Sequence, residues 1–233
     1  MYCIITGASR GLGKAIAEKF AANGYNLFLC SRNEAALRET VMKMNHQYPD
    51  VTIRGEAFDL AKKEEARRCA RWVLAQEISI DVLVNNAGQF IPGNVHNEED
   101  GALEKMMDVN LYSAYHLTRE LLPPMMTQKK GHIFNICSIA SLQAYPNGGA
   151  YSISKFALAG FSKNLREEMK PHGVKVTAVY PGATYTDSWA GSGVSPHRIM
   201  EAGDIAEMIY TASCLSPQAT VEDILLRPQL GDL

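Results

Sequence analysis

Short runs of hydrophobic residues alternate with longer amphipathic stretches along almost the whole chain. Most of the short runs are nearly continuous in valine, isoleucine, leucine and phenylalanine, which is typical of strands buried on both faces of a parallel sheet. The pattern predicts seven strands, at residues 2–6, 26–31, 51–58, 81–85, 131–137, 174–180 and 221–227. Between them it predicts six helices, at residues 12–20, 33–46, 61–77, 99–122, 150–170 and 203–213.

Local signals mark the ends of several helices. Asn23 followed by Gly24 is a typical C-terminal cap for the first helix. Pro123 and Pro124 predict the end of the fourth helix, because proline lacks an amide donor and its ring clashes with the preceding turn. Pro171 predicts the end of the fifth helix for the same reason.

The regular alternation over residues 1–233 predicts one doubly wound α/β domain of the Rossmann type. Its seven parallel strands are expected in the order 3-2-1-4-5-6-7, with right-handed crossovers and helices on both faces. Residues 181–201 form the one long irregular segment and are rich in glycine, serine and proline. Such a segment in a compact domain is typical of a lid over a substrate site.

Composition narrows the class of protein. With 233 residues, 46% of them hydrophobic, the chain can bury a large core, and a net charge of -2 argues against a nucleic-acid partner. Five scattered cysteines indicate reduced thiols and a cytoplasmic location. The six histidines form no ligand cluster, so no metal site is expected. We expect no membrane span, and a strand starting at residue 2 leaves no room for a signal peptide.

A glycine-rich turn lies between the first strand and the first helix. In its sequence TGASRGLG, Gly7, Gly11 and Gly13 allow the backbone to approach a ligand closely. The helix start that follows offers unpaired amides and a positive dipole end, which favour a pyrophosphate. The spacing differs from the common Gly-x-Gly-x2-Gly motif, and an ordinary turn is the alternative. Its place in the first strand–helix unit nevertheless favours a dinucleotide site.

The segment YSISK places Tyr151 and Lys155 four residues apart, on one face of the predicted fifth helix. Taken alone, this spacing also suits an amphipathic helix with a buried tyrosine and a solvated lysine. A nearby ammonium favours tyrosinate, so as a functional pair Lys155 is expected to lower the pKa of Tyr151. Such a phenol could exchange protons with an alcohol.

Six motifs, in order, resemble those of the short-chain dehydrogenases/reductases. They are TGASRGLG, the Asp-Leu pair at 59–60, NNAG at 85–88, MDVN ending at Asn110, a serine thirteen residues before the tyrosine of YSISK, and PGATYT at 181–186. The resemblance covers nearly the whole chain. Within the family, bacterial sepiapterin reductase-like and 3-oxoacyl-carrier-protein reductase-like members look most similar.

The resemblance implies an oxidoreductase with four catalytic residues. Tyr151 would act as general acid in reduction and as base in oxidation. Ser138 would donate a hydrogen bond to the substrate oxygen, and Asn110 would hold a water that relays protons through Lys155. The implied cofactor site comprises Gly7, Ser9, Arg10, Gly11, Leu12, Gly13, Arg32, Asp59, Leu60, Asn85, Ala87, Gly88, Tyr151, Lys155, Pro181, Gly182, Thr184 and Thr186.

The residues at the end of the second strand favour NADP(H) over NAD(H). An NAD-preferring protein of this fold places an acid there to bind the ribose hydroxyls, whereas this chain has Arg32. Arg10 in the glycine turn supplies a second guanidinium, and two such groups suit a 2′-phosphate. Thr186, or failing that Thr184, is expected to contact the nicotinamide carboxamide by resemblance.

The substrate is less defined by the sequence. The expected pocket walls are Gln89, Phe90, Ile139, Gln143, Tyr145, Tyr180, Tyr185, Trp189 and Met200. They suit a moderately bulky ketone or aldehyde. Asp187 is the candidate partner for the amino edge of a pterin, although an N-cap role is the alternative.

Two further alternatives stay open. A 3-oxoacyl carrier protein would need a basic patch near the pocket, for which only His197 and Arg198 are obvious. The chain could also bind NADP(H) as a sensor or scaffold without turnover, although the intact catalytic set argues against this. Relatives pair through their fourth and fifth helices or through the last helix and strand, so a homodimer or homotetramer is expected.

Overall fold

The computed structural model describes residues 1–186 and 193–232. The strands are β1 (Tyr2–Thr6), β2 (Asn26–Ser31), β3 (Ile53–Ala57), β4 (Val82–Asn85), β5 (His132–Ile136), β6 (Lys175–Pro181), β7 (Thr184–Tyr185), β8 (Met200–Glu201) and β9 (Asp223–Leu226). Seven of them form a parallel sheet in the order β3-β2-β1-β4-β5-β6-β9, whereas β7 and β8 pair separately. The predicted strand order is therefore confirmed, β9 being the seventh strand of the sheet.

The helices are α1 (Gly11–Ala22), α2 (Glu34–Gln47), α3 (Lys63–Leu74), α4 (Ala102–Met107), α5 (Ser113–Gln128), α6 (Gly149–Met169) and α7 (Ala202–Ser213). A π-helical turn, Asp108–Tyr112, joins α4 to α5. The predicted fourth helix is thus two α-helices with a wider turn between them. Within the described part of the chain, no helix combines the length and apolar character needed to cross a membrane.

Pro123 and Pro124 lie inside α5, so the predicted end of the fourth helix is wrong. Leu121 and Met125 are one turn apart, on either side of the prolines, and both are fully buried against the sheet. Neither proline has an amide to donate to the carbonyl four residues earlier, so the helix continues without those two hydrogen bonds. Packing therefore continues the helix to Gln128.

Side chains alternate between two core layers along each strand. In β1, Ile5 faces a layer that includes Phe20 of α1 and Ile209 of α7, whereas Ile4 faces Leu121 of α5. Burial on both faces explains the continuous hydrophobic character of the strands. All seven parallel strands end at the same edge of the sheet, so the loops that follow them converge there.

The predicted lid, residues 181–201, lies partly outside the described residues, since 187–192 are not among them. The described part is less irregular than expected. It contains β7, β8 and a 3-10 turn at Pro196–Arg198, and the Met200 amide donates to the Ala183 carbonyl at 3.1 Å. The isolated two-strand pairing gave no signal in the sequence because each strand is only two residues long.

Candidate active site

The glycine turn between β1 and α1 folds tightly onto the end of β4. Gly7 and Gly11 have φ angles of 65° and 54°, in the left-handed region that favours glycine. A Cβ atom on Gly13 would lie 2.3 Å from the Gly7 carbonyl oxygen, so only glycine fits there. A Cβ on Gly7 would lie 3.1 Å from the Cα of Ala87. The turn therefore requires the glycines that the sequence places there.

Asn86 holds this turn in place and was not among the predicted site residues. Its Nδ2 donates to the carbonyls of Thr6 at 2.9 Å and Gly7 at 3.1 Å. In return, Thr6 Oγ1 accepts the backbone amides of Asn86 and Ala87, at 2.9 and 2.8 Å. The second Asn of the NNAG motif therefore joins β4 to β1, and the motif itself was the available signal.

The two predicted phosphate-binding arginines lie at one rim of the turn. Ser9 and Ser31 share a hydrogen bond of 2.9 Å between their hydroxyl groups, which joins the glycine turn to the end of β2. Arg10 and Arg32 each follow one of these serines, and both are exposed. Thr40 of α2 donates to the Ser9 carbonyl at 2.8 Å and fixes the same rim.

The threonines after β6 take different positions. Thr186 stands against the glycine turn, with its Cβ 3.4 Å from where a Cβ on Gly11 would lie. The Thr184 hydroxyl is buried and donates to the Gly182 carbonyl at 3.0 Å. The Gly182 amide in turn donates to Leu226 at 2.8 Å, which anchors the end of β6 next to Pro181. Thr186 therefore lies against the glycine turn, whereas the Thr184 hydroxyl is engaged within its own segment.

Several predicted cofactor residues make contacts within the fold. Asn85 is buried, and its Nδ2 donates to Thr118 and Asn135 at 2.9 and 2.8 Å, which bridges β4 to α5 and β5. Leu60 belongs to one core layer, and Leu12 packs partly against the other. Asp59 accepts the Lys62 amide through its carbonyl before α3 begins.

Tyr151, Lys155 and Ser138 meet at the carboxyl end of β5. Ser138 opens a 3-10 turn, where its Oγ accepts the Ala140 amide at 3.1 Å, and it is hydrogen-bonded to the Tyr151 hydroxyl. Lys155 is buried, and its Nζ donates to the Ile136 carbonyl at 2.7 Å. This Nζ lies 5.9 Å from the centre of the Tyr151 ring. The structure thus brings three of the four predicted catalytic residues together.

Asn110 lies in the π-helical turn and is almost completely buried. Its Oδ1 accepts the Gln89 amide at 2.7 Å, and its Nδ2 donates to the Gln89 carbonyl at 3.0 Å and to Ser154 Oγ at 2.9 Å. Both amide hydrogens are therefore used, which leaves only a lone pair of Oδ1 for a water. A Cβ on Gly88 would lie 3.2 Å from this Oδ1 and 3.5 Å from Lys155 Nζ, crowding both.

The pKa of Tyr151 shifts in the direction opposite to that expected. Burial raises the pKa of Tyr151 to about 12, and the hydrogen bond from Ser138 only partly opposes this shift. Burial also lowers the pKa of Lys155 to about 8, and its ammonium is directed at a carbonyl rather than at the phenol. Tyr151 consequently keeps its proton at neutral pH, which suits a proton donor.

Aromatic and aliphatic side chains surround Tyr151 on the solvent side. Phe90 meets the Tyr151 ring edge-on, with 4.9 Å between ring centres, and is 49% exposed. Other exposed hydrophobic residues in the segments that follow the strands are Ile91, Leu142 and Tyr145, and Tyr185 of β7 is exposed as well. Met200, expected as a pocket wall, is partly buried and packs against the core. Asp187 and Trp189 lie outside the described residues.

Tyr180 does not line the pocket as predicted. It is 1% exposed and packs in a core cluster with Cys137 and Leu158. The reason is strand alternation, because Val179 and Tyr180 point to opposite faces of β6 and neither points beyond its end. Among residues 1–186 and 193–232, no group of three potential ligands is placed to hold a metal ion.

The sequence profile of the short chain dehydrogenase family matches residues 2–194. An uncharacterized oxidoreductase of Staphylococcus epidermidis is 29% identical to this chain over 229 residues, which cover 97% of this chain and 96% of the relative. Similarity to bacterial sepiapterin reductases in particular stays a prediction.

Two solved structures share the fold over nearly the whole length. A metagenomic short-chain oxidoreductase in complex with NADP is 31% identical, with a TM-score of 0.84 over 98% of this chain and 97% of that chain. An alcohol dehydrogenase from Thermococcus sibiricus, complexed with 5-hydroxy-NADP, is 27% identical, with a TM-score of 0.89 over 98% and 96%. With its glycine turn, its Ser-Tyr-Lys cluster and this extent of similarity, the chain belongs to the short-chain dehydrogenase family.

Proposed function

We propose that this protein is an NADP(H)-dependent oxidoreductase that interconverts a ketone or aldehyde and the corresponding alcohol. The observation that carries the proposal is the partly buried Tyr151, hydrogen-bonded to Ser138 and one helical turn from Lys155. Oxygen that gains negative charge during reduction needs both a proton and a hydrogen-bond donor, and this pair supplies them.

The glycine turn fits a dinucleotide. Positive φ angles at Gly7 and Gly11 expose backbone where a pyrophosphate would lie, beside the start of α1. Arg10 and Arg32 are exposed and follow Ser9 and Ser31, whose hydroxyl groups share a hydrogen bond. Both guanidinium groups would bind a 2′-phosphate, which favours NADP(H). The NADP bound in the metagenomic relative, 31% identical over 98% of this chain, supports the same choice.

The residues of the site divide the chemistry between them. When bound, the reduced nicotinamide would supply a hydride to the carbonyl carbon. Tyr151 would transfer its hydroxyl proton to the carbonyl oxygen, and Ser138 Oγ would donate a hydrogen bond to that oxygen. Lys155 and the remaining lone pair of Asn110 Oδ1 would support return of a proton to Tyr151. In oxidation of the alcohol, the tyrosinate would accept the proton.

The exposed side chains around Tyr151 favour a moderately bulky carbonyl compound with apolar or aromatic character. Docking of a 3-oxoacyl carrier protein is less favoured. Arg198, one of its two candidate cations, donates to the carbonyls of Gly231 and Leu230 at 2.9 and 3.4 Å. Three further parts of the proposal rest on the sequence. They are a contact between Asp187 and a pterin, a lid at residues 181–201 over the substrate site, and a cytoplasmic location.

A homodimer or homotetramer is also part of the proposal. Large hydrophobic residues remain exposed on the outer face of α4 to α6, among them Leu103, Tyr112, Ile153 and Phe156. A second group, Met208 and Leu225, is exposed on α7 and β9. Burial of either group would remove apolar area from water, which supports association through the pairs of elements used by relatives.

Turnover of NADPH with a panel of ketones, diketones and a pterin tests the proposal. We expect the wild-type protein to consume NADPH with at least one of them. Tyr151→Phe should lower kcat/KM by about 10³-fold because the proton donor is lost, while the dissociation constant for NADPH changes by less than about threefold.

The alternative of a non-catalytic sensor makes a different prediction. In that case NADPH binds to both proteins but neither consumes it with any carbonyl compound in the panel. A Tyr151→Phe protein that turns over at the wild-type rate would contradict the proposed role of the tyrosine. Preference for NADH over NADPH would contradict the proposed cofactor.

A further inference from the structure

The loop that follows β4 runs along the start of the catalytic helix α6. We name its residues 89–98 the strap. Within it, Gly93 forms a bridge with Gly148, and its amide donates to the Asn147 carbonyl at 3.1 Å. The side chains of Asn94 and Asn147 share a hydrogen bond of 3.0 Å, and the Asn147 amide donates to Asn94 Oδ1 at 2.9 Å. These contacts fix the segment that leads into α6.

Glu98 ends the strap and caps α6. Its Oε2 accepts the backbone amide of Ala150 at 3.0 Å. The N-cap residue Gly148 offers no side chain, and the first turn of α6 contains no acidic residue. Helix starts carry amides without intrahelical partners and a positive dipole end. Glu98 therefore supplies from a distant part of the chain the acceptor and the negative charge that α6 lacks.

The approach of Glu98 requires two glycines. A Cβ on Gly149 would lie 2.6 Å from Glu98 Oε2 and 2.6 Å from the Gly93 carbonyl oxygen. A Cβ on Gly93 would lie 3.0 Å from the Glu98 Cβ. All three distances are shorter than ordinary van der Waals contacts. The Glu98 carboxylate thus occupies a space that a side chain at position 93 or 149 would fill.

The other end of the strap touches the catalytic residues directly. Gln89 forms both backbone hydrogen bonds to the Asn110 side chain, and Phe90 packs edge-on against the Tyr151 ring. Tyr151 follows Ala150, whose amide Glu98 binds. The strap therefore contacts the catalytic tyrosine through Phe90 and fixes the backbone next to it through Glu98.

We propose that Glu98 is a positioning residue for Tyr151. By capping Ala150, it fixes the first turn of α6 and keeps the phenol aligned with Ser138. The proposal rests on the proposed function, since it concerns proton donation by Tyr151. It assigns no contact with substrate or cofactor to Glu98. Loss of the cap would release the first turn of α6, whereas the glycine turn that is proposed to bind NADP(H) lies on other elements.

Three variants separate positioning from a general effect on the fold. Glu98→Ala removes the acceptor, whereas Glu98→Gln keeps a carbonyl oxygen of nearly the same reach. Glu99→Ala is the matched control, because Glu99 is adjacent and exposed. In Glu98→Ala, amide hydrogen exchange of residues 150–152 should accelerate about fivefold or more, as expected for loss of a helix cap. Glu99→Ala should leave that exchange unchanged.

Steady-state kinetics provide the second measurement. We expect Glu98→Ala to lower kcat by about tenfold or more, with KM for NADPH within about twofold, because misalignment acts on the chemical step. Glu98→Gln should restore kcat to within about threefold of the wild-type value. Unchanged exchange or unchanged kcat in Glu98→Ala would overturn the proposal. So would a Glu98→Gln protein as slow as Glu98→Ala.

The exchange measurement also separates this inference from the proposed function. If the wild-type protein reduces no carbonyl compound, the proposed function fails, and the role of Glu98 in fixing α6 is then decided by exchange alone. If turnover is present and exchange at residues 150–152 does not respond to Glu98→Ala, the proposed function stands and the positioning role fails.

Discussion

Two helices, α1 and α6, begin at the same edge of the sheet but are held in different ways. In both, the N-cap residue forms no side-chain capping bond, and the first turn has no acidic residue. The turn into α1 is only residues 7–10, and its shape depends on glycines close in sequence. The connection into α6 spans residues 137–148 and is fixed by the strap, from residues about fifty positions earlier.

The difference shows how the chain fixes the proposed cofactor site at α1 and the proposed catalytic site at α6. The start of α1 keeps amides and dipole for the phosphates of a ligand, as proposed for NADP(H). The start of α6 receives the carboxylate of Glu98 from the chain itself, so the helix is fixed before any ligand binds. A helix that must hold a phenol in place benefits from an internal cap, whereas a helix that must bind a phosphate needs an open one.

The largest expected effect concerns Lys155 in α6. Its pKa falls from 10.5 to about 8 on burial, so the folded state binds fewer protons than the unfolded state between these values. The free energy of unfolding should therefore rise with pH across this window. Relative to Lys155→Met, which has no charge to bury, the rise should be about 3 kcal/mol.

Urea unfolding of both proteins without cofactor, at pH 7.5 and at pH 10.5, measures this difference. All other titrating groups are shared, so they cancel in the comparison. If the free energy of unfolding depends on pH equally in both proteins, the pKa of Lys155 is the same in the folded and unfolded states. That result would contradict burial as the cause of its lowered pKa.

The second prediction tests the open start of α1. Gly13→Ala places a Cβ 2.3 Å from the Gly7 carbonyl oxygen and should distort the glycine turn. We expect the dissociation constant for NADPH to rise by about 100-fold, because the backbone no longer fits the phosphates. Fluorescence titration of NADPH measures it. Gly203→Ala is the control and should bind normally, because its Cβ meets no atom within 4 Å apart from its chain neighbours and the backbone of its own helix.

The third prediction concerns the rim of the same turn. Arg32→Asp replaces a guanidinium by a carboxylate and should reduce the preference for NADPH over NADH by about 10- to 100-fold, the value of one or two charge-assisted hydrogen bonds. Kinetics with both cofactors measure the ratio. Lys43→Asp, farther along α2, changes the net charge equally and should leave the preference unchanged. An unaltered ratio in Arg32→Asp would exclude this arginine as the phosphate ligand.

The smallest effect compares two glycines of α6. A Cβ built on Gly160 meets no atom within 4 Å apart from its chain neighbours and the backbone of its own helix, so Gly160→Ala should stabilise the protein by about 0.5–1 kcal/mol through helix propensity. Gly149→Ala meets Glu98 and should destabilise the protein instead. Thermal unfolding of the two variants gives the signs. Stabilisation by both changes would show that the strap yields easily at this point.

The hydrophobic pattern predicted the sheet well because burial on two faces determines it. Residues 51–58 were predicted as a strand, and the observed strand is Ile53–Ala57. The C-terminal cap at Asn23 and Gly24 is also confirmed, with Gly24 at a φ of 81°. These features depend on neighbours in sequence. The four proposed catalytic residues rest on resemblance to a family, because their spacing in one sequence alone would not be sufficient.

The features that were missed depend on residues far apart in sequence. The NNAG motif marks Asn86 but not its bond to Thr6, and no local pattern marks the bond between Glu98 and Ala150. The direction of the Tyr151 pKa shift was wrong because spacing does not reveal how deeply a phenol is buried. The Pro123 error has the same origin, since packing of Met125 outweighs a local helix-breaking signal.

The π-helical turn Asp108–Tyr112 fixes the length of the segment between α4 and α5. A π turn contains about one residue more than the α turn it replaces, and each residue of an α-helix advances the side chains by about 100°. Deletion of one residue here would restore a regular helix and rotate Leu117, Leu121 and Met125 away from the sheet. Homologous sequences aligned to this chain should therefore show no gaps across these five positions.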